Sequence, residues 1–159
     1  MSAARRSGAD PLRVGVTADG VRAPLSAARI TDAVRHVLRA EQVRNAMVSV
    51  TLLSPSAMAR LNRRHLAHRG ATDVISFGFA PVPGAGVVGD IYICPAVARA
   101  SALAAGCGVR QEVLRLVVHG TLHVLGWDHP EDATRMASSM WKRQERLLDA
   151  VLRRHAAKG

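Results

Sequence analysis

The chain is nearly devoid of aromatic side chains: Phe, Trp and Tyr together make up 3% of its 159 residues. That scarcity argues against a single-strand binder that lays successive bases on rows of rings. Cysteine is almost as rare, with only Cys94 and Cys107, and these form no CxxC pair. A disulfide framework is therefore not expected, and both residues read as reduced thiols in the core. No run of about 18 apolar residues occurs, and the polar opening MSAARRSGAD lacks the apolar segment of a signal peptide. The expected location is the cytoplasm, without membrane association. Lysine is confined to Lys142 and Lys158, and acidic residues are few, 12 against 22 basic ones, which leaves a formal net charge of +10. Such an excess of cation concentrates polyanions and speeds encounter with them, so nucleic acid is the first partner to consider. Guanidinium suits bidentate phosphate contacts, although biased codon usage also produces an arginine excess. With so few rings available, shape and phosphate contacts would carry most of the recognition.

What is present is globular: 48% of residues are hydrophobic and 21% charged. The length allows one core and not two. Residues 1–10 read as a flexible N-terminal segment and 11–156 as a single domain. Periodicity predicts strands at 12–17, 47–53, 72–79 and 87–94, the last two joined by the loop APVPGAG. It predicts helices at 27–41 with Ser26 as N-cap, at 54–66, at 95–105 and at 109–125. A final helix over 133–155 carries Met136, Met140, Leu147, Leu148, Val151 and Leu152 on one side. The elements interleave without a regular βαβ repeat. The expected fold is α+β, a small mixed sheet of about four strands packed with helices.

The stretch HGTLHVLGWDH, from His119 to His129, holds three of the chain's seven histidines. His119 and His123 lie four apart on the helix 109–125, one turn above each other on the same face. Gly126 suits a left-handed residue at the helix end and lets the chain swing His129 back toward the other two. Three imidazoles on one side of an ion leave a position open, the arrangement of a catalytic rather than a structural zinc. Such an ion supplies hydroxide from bound water near neutral pH. The segments VLRLVV and VL around the histidines are apolar on nearly every side, so the helix reads as central and buried. Gly120 in mid-helix, disfavoured by about 1 kcal/mol relative to Ala, implies close approach of another segment or of substrate.

Metzincin peptidases share these offsets in HExxHxxGxxH, but here Gly120 stands where their catalytic Glu would be. The helix's only carboxylate, Glu112, lies about two turns before His119, too far to stand in. A zinc peptidase is therefore an alternative that matches in spacing and fails in chemistry, and no peptide substrate is expected.

HGTLHVLGWDH resembles the HGxLHLxGYDH signature of the YbeY family, bacterial endoribonucleases of 16S rRNA maturation and ribosome quality control. LNRRHLAHRGATDVISF resembles the family's LN…TDVLSF segment and VVGDIYIC its GDI strand, and a Met-bearing helix follows the histidines. The resemblance spans about residues 47–152. It implies one Zn2+ per chain on His119, His123 and His129, with His119 also counted among the catalytic residues. It further implies single-stranded rRNA as substrate and the small ribosomal subunit as partner. Asp73 and Asp90 match family positions near the cleft and could partner a histidine N–H. Trp127 stands where the family has Tyr and is expected to pack beneath the metal loop. The register also puts Leu66 where the family has an arginine implicated in RNA cleavage. Leucine cannot neutralise a phosphate, so Arg63, one turn back, or Arg69, in the following loop, is expected to substitute. The alternative from another class is a non-catalytic rRNA-binding assembly factor with a structural zinc.

Overall fold

Alternating apolar residues build two strands, β1 (Leu12–Asp19) and β2 (Ala46–Leu53), which pair in parallel across the connecting helix α1 (Ala27–Ala40). The computed structural model describes residues 8–66 and 70–158. Helix α2 (Pro55–Leu66) leads to the antiparallel pair β3 (Val74–Val82) and β4 (Gly86–Ile93). Helices α3 (Pro95–Ala105) and α4 (Val109–Val124) follow, then a 3-10 turn (Arg135–Ala137) and α5 (Ser139–Ala157). The sheet order is β1-β2-β4-β3, with β2 and β4 parallel, so the sheet is mixed as the interleaved pattern implied.

Ser26 caps α1: its backbone is extended and its Oγ accepts from the Arg29 N–H at 3.2 Å. The buried residues Ile30, Ala33, Val34, Val37 and Leu38 follow the i, i+3, i+4, i+7, i+8 pattern of a helix covering a sheet. Helices α1, α4 and α5 join the sheet's inner face in the main core, with Val50, Leu52, Ile91 and Ile93 beneath them. Across the sheet, α2 closes a smaller cluster of Leu53, Met58, Ile75 and Cys94. Both cysteines are free thiols, Cys94 buried and Cys107 half-buried. Among the described residues no helix is long and apolar enough to cross a membrane.

Among the boundaries that differ from the sequence reading, three have a visible physical cause. Asp10, assigned to a flexible segment, accepts from the Leu12 N–H at 2.9 Å and pairs with Arg39 at 3.1 Å, which pins the chain just before β1. Strand β3 runs on through Pro81 to Val82, which is possible because β3 is an edge strand and needs no further ladder donor there. The last helix starts at Ser139 and not at 133. Ser138 is extended and its Oγ accepts from the Trp141 N–H at 3.2 Å, so a cap interrupts what hydrophobic spacing read as continuous. Met136 is consequently outside the helix and 66% exposed, and α5 faces the core with Met140, Gln144, Leu147, Leu148, Val151 and His155.

Helix α4 sits unusually close to the sheet. Gly78 and Gly89 are paired across β3 and β4, and a Cβ on Gly78 would lie 2.9 Å from the Val124 carbonyl oxygen. One turn earlier, a Cβ on Gly120 would lie 2.7 Å from Ile91 Cγ2 and 2.9 Å from Ser76 Oγ. Gly120 is thus required by the approach of the sheet. Gly120→Ala is expected to destabilise the metal-free protein by about 1–3 kcal/mol in urea titration, overpacking outweighing the helix-propensity gain of about 1 kcal/mol. A stabilised variant would contradict this packing.

Candidate metal centre

Helix α4 ends in a Schellman arrangement. The Trp127 N–H bonds the Leu122 carbonyl at 3.0 Å, the Gly126 N–H bonds the His123 carbonyl at 2.9 Å, and Gly126 has φ +96°. This reversal carries His129 back over the helix. The ring centroids of His119, His123 and His129 lie 4.5, 5.1 and 5.0 Å apart, and one ligand nitrogen from each falls within 4.8 Å of the others. His119 is buried and the other two are half-buried.

Hydrogen bonds decide which nitrogens are free. Gln144 is 1% exposed, and its Nε2 donates to Glu145 Oε2 at 3.3 Å, so its Oε1 faces His119 Nδ1 at 2.6 Å. Nδ1 must then be the protonated nitrogen of His119, and Nε2 is left with its lone pair. Glu145 is held in turn by Arg115 Nε at 3.2 Å, and Arg115 also pairs with Glu112. His129 Nδ1 similarly donates to the Pro130 carbonyl at 2.9 Å. Such partners fix tautomer and ring orientation in metal sites. Burial, the largest cause, pushes His119 down to about 4, against the Gln144 hydrogen bond and together with His123, Arg135 and His129. Burial likewise lowers His123, reinforced by His129 and opposed by the Trp127 backbone and Asp128. Three imidazoles converging from one side, with Nε2 of His119 and of His129 left free by their Nδ1 hydrogen bonds, fit a borderline cation such as Zn2+.

The histidines floor a cleft of about 430 Å³ whose walls include Thr72, Asp73, Ser76, Glu131 and Arg135. Asp73 reaches this cleft, but among the described residues its carboxylate accepts only from Thr72 Oγ1, at 3.5 Å, and not from a histidine. Asp90 is elsewhere: it accepts from Ser49 Oγ at 2.6 Å and lines a hollow with Arg13 and Met47. The partner roles expected of these aspartates fall instead to Gln144 and the Pro130 carbonyl, because α5 and the loop after His129 approach the rings and β4 does not. Trp127 is half-buried against the core, its Nε1 donating to Glu41 Oε2 at 3.3 Å, which agrees with the packing expected of it. Arg63 lies on the exposed side of α2, in a hollow with Arg60, Arg64 and Tyr92, and does not line the histidine cleft. Arg69 lies outside the described residues. The sequence reading missed Gln144, hidden in an apolar stripe, and Arg135, which carries no motif. The one available sign was a polar residue on the core face of α5.

A mixed four-stranded sheet whose central helix presents three histidines to an open cleft defines an α+β protein with a metal-type centre. The family described as Endoribonuclease YbeY has a sequence model that matches residues 19–152, and the chain belongs to this family. An Endoribonuclease YbeY of Micrococcus luteus is 38% identical over 130 residues, covering 77% of this chain and 82% of that protein. One from Mycobacterium tuberculosis is 40% identical over 114 residues, covering 65% of this chain and 63% of its own length. The solution structure of a Thermotoga maritima protein superposes with a TM-score of 0.61 at 22% identity, covering 91% of this chain and 93% of that one. That likeness concerns the fold alone.

Two outcomes test the centre. Gln144→Leu removes the acceptor that orients His119 and is expected to weaken Zn2+ binding about 10–100-fold in chelator competition; an unchanged affinity would leave Gln144 a packing residue. For acid sensitivity, His119 has a folded-state value of about 4 against an ordinary 6.5, so the unfolded chain binds more protons between these limits. Stability of the metal-free protein is therefore full above about 6.5 and falls as pH drops toward 4. Urea midpoints across this window should decline, and less steeply in His119→Asn.

Proposed function

We propose that this chain is a zinc-dependent, single-strand-specific endoribonuclease that acts in 16S rRNA 3'-end maturation and ribosome quality control, on the small ribosomal subunit in the cytoplasm. The observation that carries the proposal is the convergence of His119, His123 and His129, with oriented rings, at the floor of an open cleft. Relatives of this chain bear the name Endoribonuclease YbeY, and its net charge of +10 suits a polyanionic substrate. One Zn2+ per chain would be held by the three histidines, where it would serve phosphodiester hydrolysis either by activating water or by polarising a phosphoryl oxygen.

The chain's own residues divide the remaining work. Gln144 and the Pro130 carbonyl keep His119 and His129 in the ligating tautomer. Thr72, Ser76 and Glu131 line the path a strand would take past the histidines. Arg60, Arg63 and Arg64 present guanidiniums on α2, where Arg63 would hold the strand by its phosphates. Arg69, three positions before Thr72 in the sequence, joins it in this proposal as a phosphate contact. The absence of an arginine at position 66 favours a second reading, in which the protein binds rRNA as an assembly factor and cuts it weakly or not at all.

Purified protein loaded with zinc is expected to cut single-stranded rRNA, and the His119, His123, His129 triple-alanine variant from a matched preparation is not. RNA affinity should fall steeply with salt, each phosphate contact adding about −0.7 to the logarithmic slope. Salt-sensitive binding without cleavage at full metal occupancy would select the assembly-factor reading. Chelator-sensitive proteolysis of an unfolded protein would revive the peptidase.

A further inference from the structure

Arg135 is mounted rigidly beside the three histidines. Its N–H donates to the Asp132 carbonyl at 3.1 Å, and its own carbonyl accepts from the Ser138 N–H at 3.1 Å and from Ser138 Oγ at 2.6 Å. The turn before it is tied as well, with the Thr134 N–H on Asp132 Oδ1 at 2.8 Å. The backbone at 135 is thus fixed by four hydrogen bonds within the segment, counting that of Thr134, while the side chain is exposed and lines the histidine cleft. Two carboxylates share the cleft, Asp73 and Glu131, yet among the described residues neither comes within ion-pair distance of Arg135, which forms no salt bridge.

A guanidinium on the wall of a cation-binding site is unfavourable on its own, because like charges repel. The arrangement becomes favourable when an anion occupies the space between them. A tetrahedral phosphodiester has that charge, and two non-bridging oxygens that can face opposite sides of the cleft. Guanidinium also matches such oxygens in geometry, with paired N–H donors in one plane.

We propose that Arg135 is the phosphate clamp of this cleft, seating the scissile phosphodiester against the histidine centre and neutralising it during cleavage. The assignment rests on the endoribonuclease reading above, and it supplies from the loop after the third histidine the guanidinium that position 66 lacks. In the hydrolysis a water oxygen bonds to phosphorus and one P–O ester bond breaks. The leaving oxygen keeps the electron pair and takes a proton, and the water's other hydrogen departs from the new phosphate ester as it ionises. Negative charge on the non-bridging oxygens is what Arg135 meets. A preorganised donor of this kind contributes more to the transition state than to substrate binding.

The test compares wild type with Arg135→Ala, Arg135→Gln and Arg135→Lys, all loaded with zinc by the same procedure. Single-turnover cleavage at saturating RNA should slow about 10²–10³-fold in the Ala and Gln variants, with partial recovery in Lys and on adding guanidinium chloride to Arg135→Ala. Zinc content and thermal midpoint should stay as in wild type. In a second arm, inorganic phosphate is titrated into the metal-free proteins and followed by NMR shifts, with about tenfold weaker binding expected in Arg135→Ala. Wild-type rates in both Ala and Gln overturn the clamp, and so does a rate loss matched by loss of zinc without guanidinium rescue. Wild type failing to cut RNA would refute the endoribonuclease reading instead. The phosphate arm would then decide alone: equal affinity with and without the Arg135 side chain overturns the clamp, and weakened affinity sustains it.

Discussion

The feature on which the rest of the structure depends is the close seating of α4 on the β3–β4 hairpin. Two paired positions in the sheet make it possible, Gly78 with Gly89 beneath Val124 and Ser76 with Ile91 beneath Gly120. Glycine is on the sheet at one contact and on the helix at the next, so at each contact atoms of one surface fill the space that a Cβ on the other would occupy. Wider separation would move the helix, and with it His119 and His123, away from the start of β3. Because β3 begins beside that helix, Thr72, Asp73 and Ser76 wall the same cleft that the histidines floor. Packing of small residues in the core thus sets the width of a polar site at its edge.

The second constraint is electrostatic. A buried polar ring is costly unless its hydrogen bonds are made, and His119 is buried. Gln144 meets this need, and its own amide is oriented by Glu145, which Arg115 holds. The chain of contacts spans α4 and α5 and converts a potential defect of the core into a ring with one defined lone pair. His129 reaches the same condition locally, through the carbonyl of the next residue. The centre is therefore rigid on the side that faces the core and open on the side that faces solvent, where the cleft combines two carboxylates with a guanidinium.

Much of this was legible in the sequence for identifiable reasons. The 3.6-residue period marked α1 and α4, the alternation of apolar residues marked the strands, and the offsets of His119, His123, Gly126 and His129 encoded both the ligand face and the reversal that completes it. The start of α5 was not legible, because hydrophobic spacing from 133 onward ignores the extended Ser138 that caps the helix at 139. Nor was the separation of Asp73 from Asp90. Asp73 sits just before β3 and Asp90 in the middle of β4, in similar short motifs, and only the sheet's register and the placement of α4 show that one faces the cleft and the other Ser49.

By itself, then, the sequence determined the elements, the three converging histidines and the family, because each is written in local spacing that helix geometry reads directly. Tertiary structure alone decided which polar residues serve the centre. Gln144 lies 25 residues from His119 in the chain, and Arg135 reaches the cleft only because the loop after His129 folds back along it. Neither position carries a periodicity or motif, since their roles come from contacts between elements that no local pattern records.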